Sequence, residues 1–199
     1  MNSDPDAELV LTCQRSAASS LEGDYRRLYD RYKDRVYNVC FRIAGNPSDA
    51  LDASQEAFGI IFRRVREFRF ESRFSSWVYR IAVNASIDVR RRARSRRLAS
   101  LESIEENGNN PKYDLADTVE MPSVSASRRE FERAIQLAIS RLSEKLRTIV
   151  VLRYMEDLSY EQVSETLGIS LGTVKSRLAR AHEALDRELT PVLDKHYLG

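Results

Sequence analysis

The sequence predicts an all-α protein made of two small helical domains, a three-helix bundle and a helix-turn-helix, joined by a flexible linker. Three observations lead there. Apolar residues recur at steps of three and four through two separate stretches, which is the spacing of amphipathic helices. No stretch alternates at period two, and breakers are scarce, with Gly at 7 and Pro at 5 of 199 residues. Between the two stretches the period fails over a segment rich in turn formers and acids. The chain therefore divides into an N-terminal extension (1–24), a first domain (25–98), an acidic linker (99–127) and a second domain (128–199).

In the first domain, Leu28, Tyr32, Val36, Val39, Cys40 and Ile43 define an opening helix over 25–44, which Gly45-Asn46-Pro47 ends. Ser48 is a candidate N-cap for a second helix carrying Leu51, Phe58, Ile61, Phe62, Val65 and Phe68. A third starts near Ser72, places Phe74, Trp77, Val78, Ile81 and Ala85 on one side, and runs into the arginines at 90–97. Such faces on short connections make a bundle. The linker contains Asn107-Gly108-Asn109-Asn110-Pro111 and shows no sustained period, which predicts flexibility.

The helical period resumes with Phe131, Ile135, Ala138 and Leu142, and again after Ser143 with Leu146, Ile149 and Val150, giving two helices that end near Asp157. Ser159-Tyr160-Glu161-Gln162 is a capping-box pattern for a short helix with Val163 and Leu167 inward. Gly168 follows, and Ser170 can cap a longer helix through Val174, Leu178, Ala181 and Leu185. A short helix, a turn starting at Gly and a longer helix is helix-turn-helix spacing. In that geometry the second helix enters the major groove of DNA by its N-terminal half. Thr173, Lys175, Ser176, Arg177 and Arg180 point away from the apolar stripe and become the candidate DNA contacts, Arg reading guanine and Lys and Thr holding backbone. In an isolated helix they would be only a solvated face.

Charge supports a polyanion partner. Residues 25–98 carry eighteen basic against eight acidic side chains, whereas 99–127 carry one Lys against six acids. No apolar run is long enough to span a membrane, and the acidic N-terminus lacks the features of a secretory signal. The only cysteines, Cys13 and Cys40, have no metal-ligand spacing, so neither a disulfide framework nor a structural zinc is expected, and a cytoplasmic location fits. Neither GxxxxGK[ST] nor HExxH occurs. Asp52 and Glu56 lie one turn apart without a His, so no catalytic function, metal or cofactor is expected.

Two stretches resemble a known family. Leu158-Ser159-Tyr160-Glu161-Gln162-Val163, Gly172-Thr173-Val174-Lys175-Ser176-Arg177-Leu178 and Arg180-Ala181 are similar to the region 4 helix-turn-helix of extracytoplasmic-function (ECF) sigma factors. Asp49-Ala50-Leu51-Asp52-Ala53-Ser54-Gln55-Glu56-Ala57-Phe58, with Phe74-Ser75-Ser76-Trp77-Val78-Tyr79-Arg80-Ile81-Ala82-Val83-Asn84, are similar to their region 2. The resemblance covers roughly 25–98 and 128–190. It implies a bacterial initiation factor, not an enzyme, that binds core RNA polymerase, places it at a promoter and helps open the DNA.

Residue by residue, the resemblance implies that Asp52, Gln55 and Glu56 dock on the clamp helices of the largest polymerase subunit. Their spacing agrees, since all three share the face opposite Phe58, Ile61 and Val65. It implies that Phe68, Arg69, Glu71, Ser72, Ile81 and Asn84 capture an unpaired −10 base, with Asn84 offering its amide and Phe68 a face or wall. Region 4 would read the −35 element. Trp77 fits the core better than a stacking role. Arg90, Arg91, Arg92 and Arg94 are read as phosphate contacts; the alternatives are a solubilising run or one held by the acidic linker. Many relatives have Gly where this chain has Phe70, so the loop is expected to differ in shape; Ala179 is small where some relatives carry a larger residue. An anti-sigma factor is a further partner that the resemblance implies. The sequence names neither that partner, the promoter, the stimulus, the role of 1–24, nor any redox role for either cysteine.

Overall fold

The computed structural model describes the backbone of residues 4–15, 21–104 and 126–197, and the side chains of 4–15, 22–96 and 132–190. Among the described residues there is no strand. Helix α1 (Ala7–Arg15) precedes the bundle of α2 (Leu21–Ala44), α3 (Pro47–Arg64) and α4 (Phe74–Ile104). The second unit contains α5 (Ala126–Arg141), α6 (Glu144–Val150), α7 (Tyr160–Leu167) and α8 (Leu171–Tyr197).

The apolar stripes read from the sequence form the core of the bundle. Leu28, Tyr32, Val36, Val39, Cys40 and Ile43 of α2 are all buried, against Ala50, Ala53, Ala57, Phe58 and Ile61 of α3 and Phe74, Val78, Ala82, Val83, Ala85 and Val89 of α4. Three alanines at steps of three and four give α3 a narrow face on which α2 and α4 can lie close. Gly45, with φ of 91°, ends α2 in a conformation that a side chain resists. The N-cap of α3 is Asn46 rather than Ser48: Asn46 Oδ1 accepts from the Asp49 backbone N–H at 2.9 Å, and Pro47 takes the first helical position, where its missing N–H costs nothing.

Two boundaries differ from the sequence reading. Helix α4 starts at Phe74, not Ser72, because the carboxylate of distant Asp4 supplies its cap: the Phe74 N–H donates to Asp4 Oδ2 at 2.6 Å. It also continues to Ile104, and α5 begins at Ala126, so 99–104 and 126–127 are helical where a linker was expected. Residues 105–125, which carry most of that linker and its expected flexibility, lie outside the described residues.

In the second unit, Ala138, Ile139, Leu142, Ile149, Val150, Val151, Leu152, Leu158, Val163, Val174, Leu178 and Ala181 are buried together. A π-helical turn, Val151–Met155, prolongs α6 and ends with the Glu156 N–H donating to Val151 O at 3.2 Å. Among the described residues the largest fully buried side chain is Arg147 on α6. Its guanidinium donates to the carbonyls of Ile139 (3.0 Å), Ser140 and Leu142 (3.0 Å) around the end of α5, and to Ile43 (2.9 Å) at the end of α2. Helix C-termini carry unpaired carbonyls and partial negative charge, so one cation serves two of them and ties the units together. Arg42 reinforces the seam by donating to Gln136 Oε1 at 2.9 Å.

Candidate nucleic-acid interface

The helix-turn-helix is built as its local signals require. Ser159 Oγ accepts from the Gln162 N–H at 3.2 Å while the Ser159 N–H donates to Gln162 Oε1 at 2.8 Å, a complete capping box. Gly168 stands at φ 63°, the left-handed cap that turns the chain between α7 and α8. Ser170 Oγ accepts from the Thr173 N–H at 3.2 Å and starts α8. Val174, Leu178 and Ala181 face inward, and the opposite face presents Lys175, Ser176 and Arg180 exposed, with Arg177 and Thr173 half-buried at its margins. No described carboxylate pairs directly with Lys175, Arg177 or Arg180. His182, next along, is exposed and bonded to the Tyr154 hydroxyl.

The acidic face of α3 sits beside the arginine cluster. Asp52, Gln55 and Glu56 are exposed, as the spacing requires. Glu56 pairs with Arg92, and Asp52 and Glu56 line a surface groove with Arg91, Arg92 and Arg96. Arg91 pairs with Asp88 at 2.9 Å, and Arg94 is exposed. Arg90 is half-buried and its pKa is lowered by desolvation, with Glu144 opposing that shift. These pairs are exposed, worth about 0–1 kcal/mol each, so a competing partner can displace them cheaply.

The residues assigned to a base pocket fall into two groups. Arg69, Glu71 and Asn84 are exposed, with Ser72 and Ile81 half-buried. Phe68 is instead buried at 8% exposure, in a cluster with Phe70, Phe74 and half-buried Trp77 at ring-centroid distances of 5.0, 5.2 and 5.4 Å. It serves as the wall under the loop and offers no free face for stacking. Phe70 adopts φ 57° although its bulk was expected to prevent it. The left-handed conformation costs a non-Gly residue about 1–2 kcal/mol. Surrounding structure must over-determine it.

Sequence reasoning missed that surrounding structure, which is the segment 4–15. Val10 and Cys13 of α1 are fully buried, and the buried Asp6 carboxylate accepts from the Tyr32 hydroxyl and from Arg31 at 3.2 Å. Burial, with Asp6 beside it, pushes the Tyr32 hydroxyl well above the ordinary phenol pKa. Gln14 donates to the carbonyls of Val65 at 3.1 Å and Phe68 at 2.8 Å, across the 3₁₀ turn Val65–Glu67 that leads into the loop. The regular spacing of Leu9 and Val10 with Cys13 was the available signal. Both cysteines are buried, and burial raises their thiol pKa values, which keeps them protonated.

Across the seam, Arg80 donates to the carbonyls of Glu165 and Thr166 (2.9 Å) at the end of α7, and Ser76 donates to Glu165 at 3.3 Å. The Glu156 carboxyl of the second unit meets Tyr79 and Arg35 of the first; burial pushes its pKa up, with those two partners opposing the shift. Among the described residues no group of His, Cys, Asp and Glu could hold a metal, and no helix is long and apolar enough to cross a membrane.

Two family descriptions match this architecture: sigma-70 region 2 over residues 28–96 and sigma-70, region 4 over residues 132–185. The chain is also 35% identical over 162 residues to the ECF RNA polymerase sigma factor SigW of Bacillus subtilis (strain 168), covering 81% of this chain and 87% of SigW. The chain belongs to the ECF sigma factors. A second relative of this sigma factor, the RNA polymerase sigma-H factor of Pseudomonas aeruginosa, is 33% identical over 198 residues, covering 97% and 98% of the two chains. The fold is similar to that of CnrH, solved in complex with the cytosolic domain of CnrY, at a TM-score of 0.67 and 20% identity over 94% of this chain and 99% of that one. As a member of this class the chain directs transcription initiation.

Proposed function

We propose that this sigma factor binds core RNA polymerase through Asp52, Gln55 and Glu56, reads the −35 element with α8 and captures unpaired −10 DNA with the loop between α3 and α4. The observation that carries the −35 half is the α8 face. Thr173, Lys175, Ser176, Arg177 and Arg180 stand on a helix-turn-helix whose two helix starts and turn are capped, which supports docking in a major groove. A bidentate Arg–guanine contact is worth about 1–3 kcal/mol of discrimination. The −10 half is supported by the exposure of Arg69, Glu71 and Asn84, with Ser72 and Ile81 half-buried, on the loop and α4. Asn84 carries both donor and acceptor for a base edge.

Arg90, Arg91, Arg92 and Arg94 then supply phosphate contacts once the weak pairs of Arg91 and Arg92 are exchanged for DNA. Docking of polymerase on Glu56 would release Arg92 at the same moment, which couples the two events. The protein acts in the cytoplasm, where its polymerase is. RpoE of Bartonella quintana was solved in complex with the anti-sigma factor NepR, and an inhibitory partner of that class is proposed here also.

Run-off transcription with purified core polymerase tests the proposal. The chain should confer a promoter-specific transcript that core enzyme alone does not make. Arg177→Ala should weaken −35 selectivity, whereas Asn84→Ala should impair opening with duplex recruitment retained. Loss of nonspecific affinity alone in both variants would contradict the site assignment.

A further inference from the structure

We propose that Gln14 is a positioning residue for −10 reading: its amide holds the loop between α3 and α4 in the one shape that keeps Phe70 left-handed. The inference rests on the loop's role proposed above and adds a residue that lies outside both matched regions. A Gln side-chain NH₂ has two hydrogens, and here both are used, on Val65 O at 3.1 Å and Phe68 O at 2.8 Å. Those carbonyls bracket the 3₁₀ turn, whose own Phe68 N–H to Val65 O bond is long at 3.3 Å. On the far side of the loop, Asp4 takes the Phe74 N–H at 2.6 Å. Residues 69–73 are therefore suspended between two anchors supplied by one N-terminal segment.

That suspension explains how Phe70 tolerates φ 57°. Its ring packs edge-on against Phe68, which packs edge-on against Phe74, so the strained residue leans on the same two positions that Gln14 and Asp4 hold. With Gln14 removed, the carbonyls of Val65 and Phe68 lose their only described side-chain donor, and Phe70 is free to relax toward negative φ. Relaxation would redirect Arg69 and Glu71, its exposed neighbours in the loop. A Gly at position 70 would hold the same backbone angle without help.

The test uses the full chain bound to core polymerase and a random pool of single-stranded DNA decamers, sequenced before and after capture. The readout is the ratio between the most and least favoured base at the selected position. Gln14→Ala and the isosteric Gln14→Glu, which cannot donate, should each flatten that ratio about tenfold, while duplex −35 binding and complex formation with core polymerase stay unchanged. In a Phe70→Gly background the Gln14→Ala effect should shrink below about threefold, with Phe70→Asn as a second background that also tolerates the left-handed region. The proposal is overturned if the unmodified chain discriminates and both Gln14 variants do so equally well. It is also overturned if the Gln14→Ala loss is as large in the Phe70→Gly and Phe70→Asn backgrounds, which would mark a merely structural role. A flat ratio in the unmodified chain would overturn the reading of the loop itself.

Discussion

The two surfaces assigned to DNA are supported in opposite ways. The face of α8 rests on its own neighbourhood: the Ser159–Gln162 box, Gly168 and the Ser170 cap all lie within 14 residues of Thr173. The loop between α3 and α4 rests on groups 51 to 70 residues away in sequence, Gln14 and Asp4. A locally capped element keeps its shape wherever the domain goes. A suspended loop keeps its shape only while its remote anchors stay docked, so the −10 surface should be the more easily disturbed by changes distant from DNA.

Arg147 is where that contrast breaks most severely, since the second unit also has one long-range dependence there. Arg147→Ala takes a donor from four carbonyls, of which Ile139 keeps the Leu142 N–H while Ile43, Ser140 and Leu142 lose the donor described for them. Unpaired buried groups cost about 1–3 kcal/mol each, not additively, so a loss of at least about 3 kcal/mol in chemical denaturation is expected. On the face of α8 assigned to the −35 element, Arg180→Ala should lower duplex −35 affinity by about 1–3 kcal/mol and leave single-strand capture unchanged, read by fluorescence anisotropy on both probes.

The local cap itself is the next test. Ser159→Ala should destabilise the helix-turn-helix by about 1 kcal/mol, visible in hydrogen exchange of α7 with the α3–α4 loop unaffected. Phe70→Gly sharpens the contrast from the other side. It removes about 1–2 kcal/mol of backbone strain but adds roughly 0.5–1 kcal/mol of unfolded-state entropy and loses the contact with Phe68. Net stability should therefore move by less than about 1 kcal/mol, while −10 selectivity changes.

The smallest effect is the pH dependence of the seam. Glu156 has its pKa raised by burial, so between the ordinary carboxylate pKa and the raised one the folded form binds more protons than the unfolded form. The stability this contributes is present below the ordinary carboxylate pKa and is lost as pH rises through the raised value. Contact between the units should thus tighten as pH falls through the raised value, and Glu156→Gln should flatten that dependence in a small-angle scattering titration.

How much of this was legible in the sequence follows the same division. The stripes Leu28 to Ile43 and Val174 to Ala181, the capping box and the Gly168 turn were readable because each signal sits within one or two helical turns of what it controls. Ser48 was read as the N-cap of α3, but Asn46 takes that place because Pro47 fits the first helical position. Arg147 looked like any surface Arg on a short helix; only the meeting of two helix ends makes its burial favourable. Phe68 was assigned to the −10 pocket through the family resemblance, as a face or wall; three aromatic neighbours and its burial leave it no free face. The spacing of Leu9, Val10 and Cys13 marks a packed face, but the anchoring role of 4–15 was not legible because its partners lie 51 to 70 residues away.

Permanganate footprinting of the polymerase complex on a duplex promoter puts the division of labour to its most direct test. With Asn84→Ala, protection of the −35 element should persist while unpaired thymines at −10 disappear; with Arg177→Ala at saturating protein, −35 protection should weaken while the complexes that form still open. Equal loss of protection and opening in both variants would contradict the account.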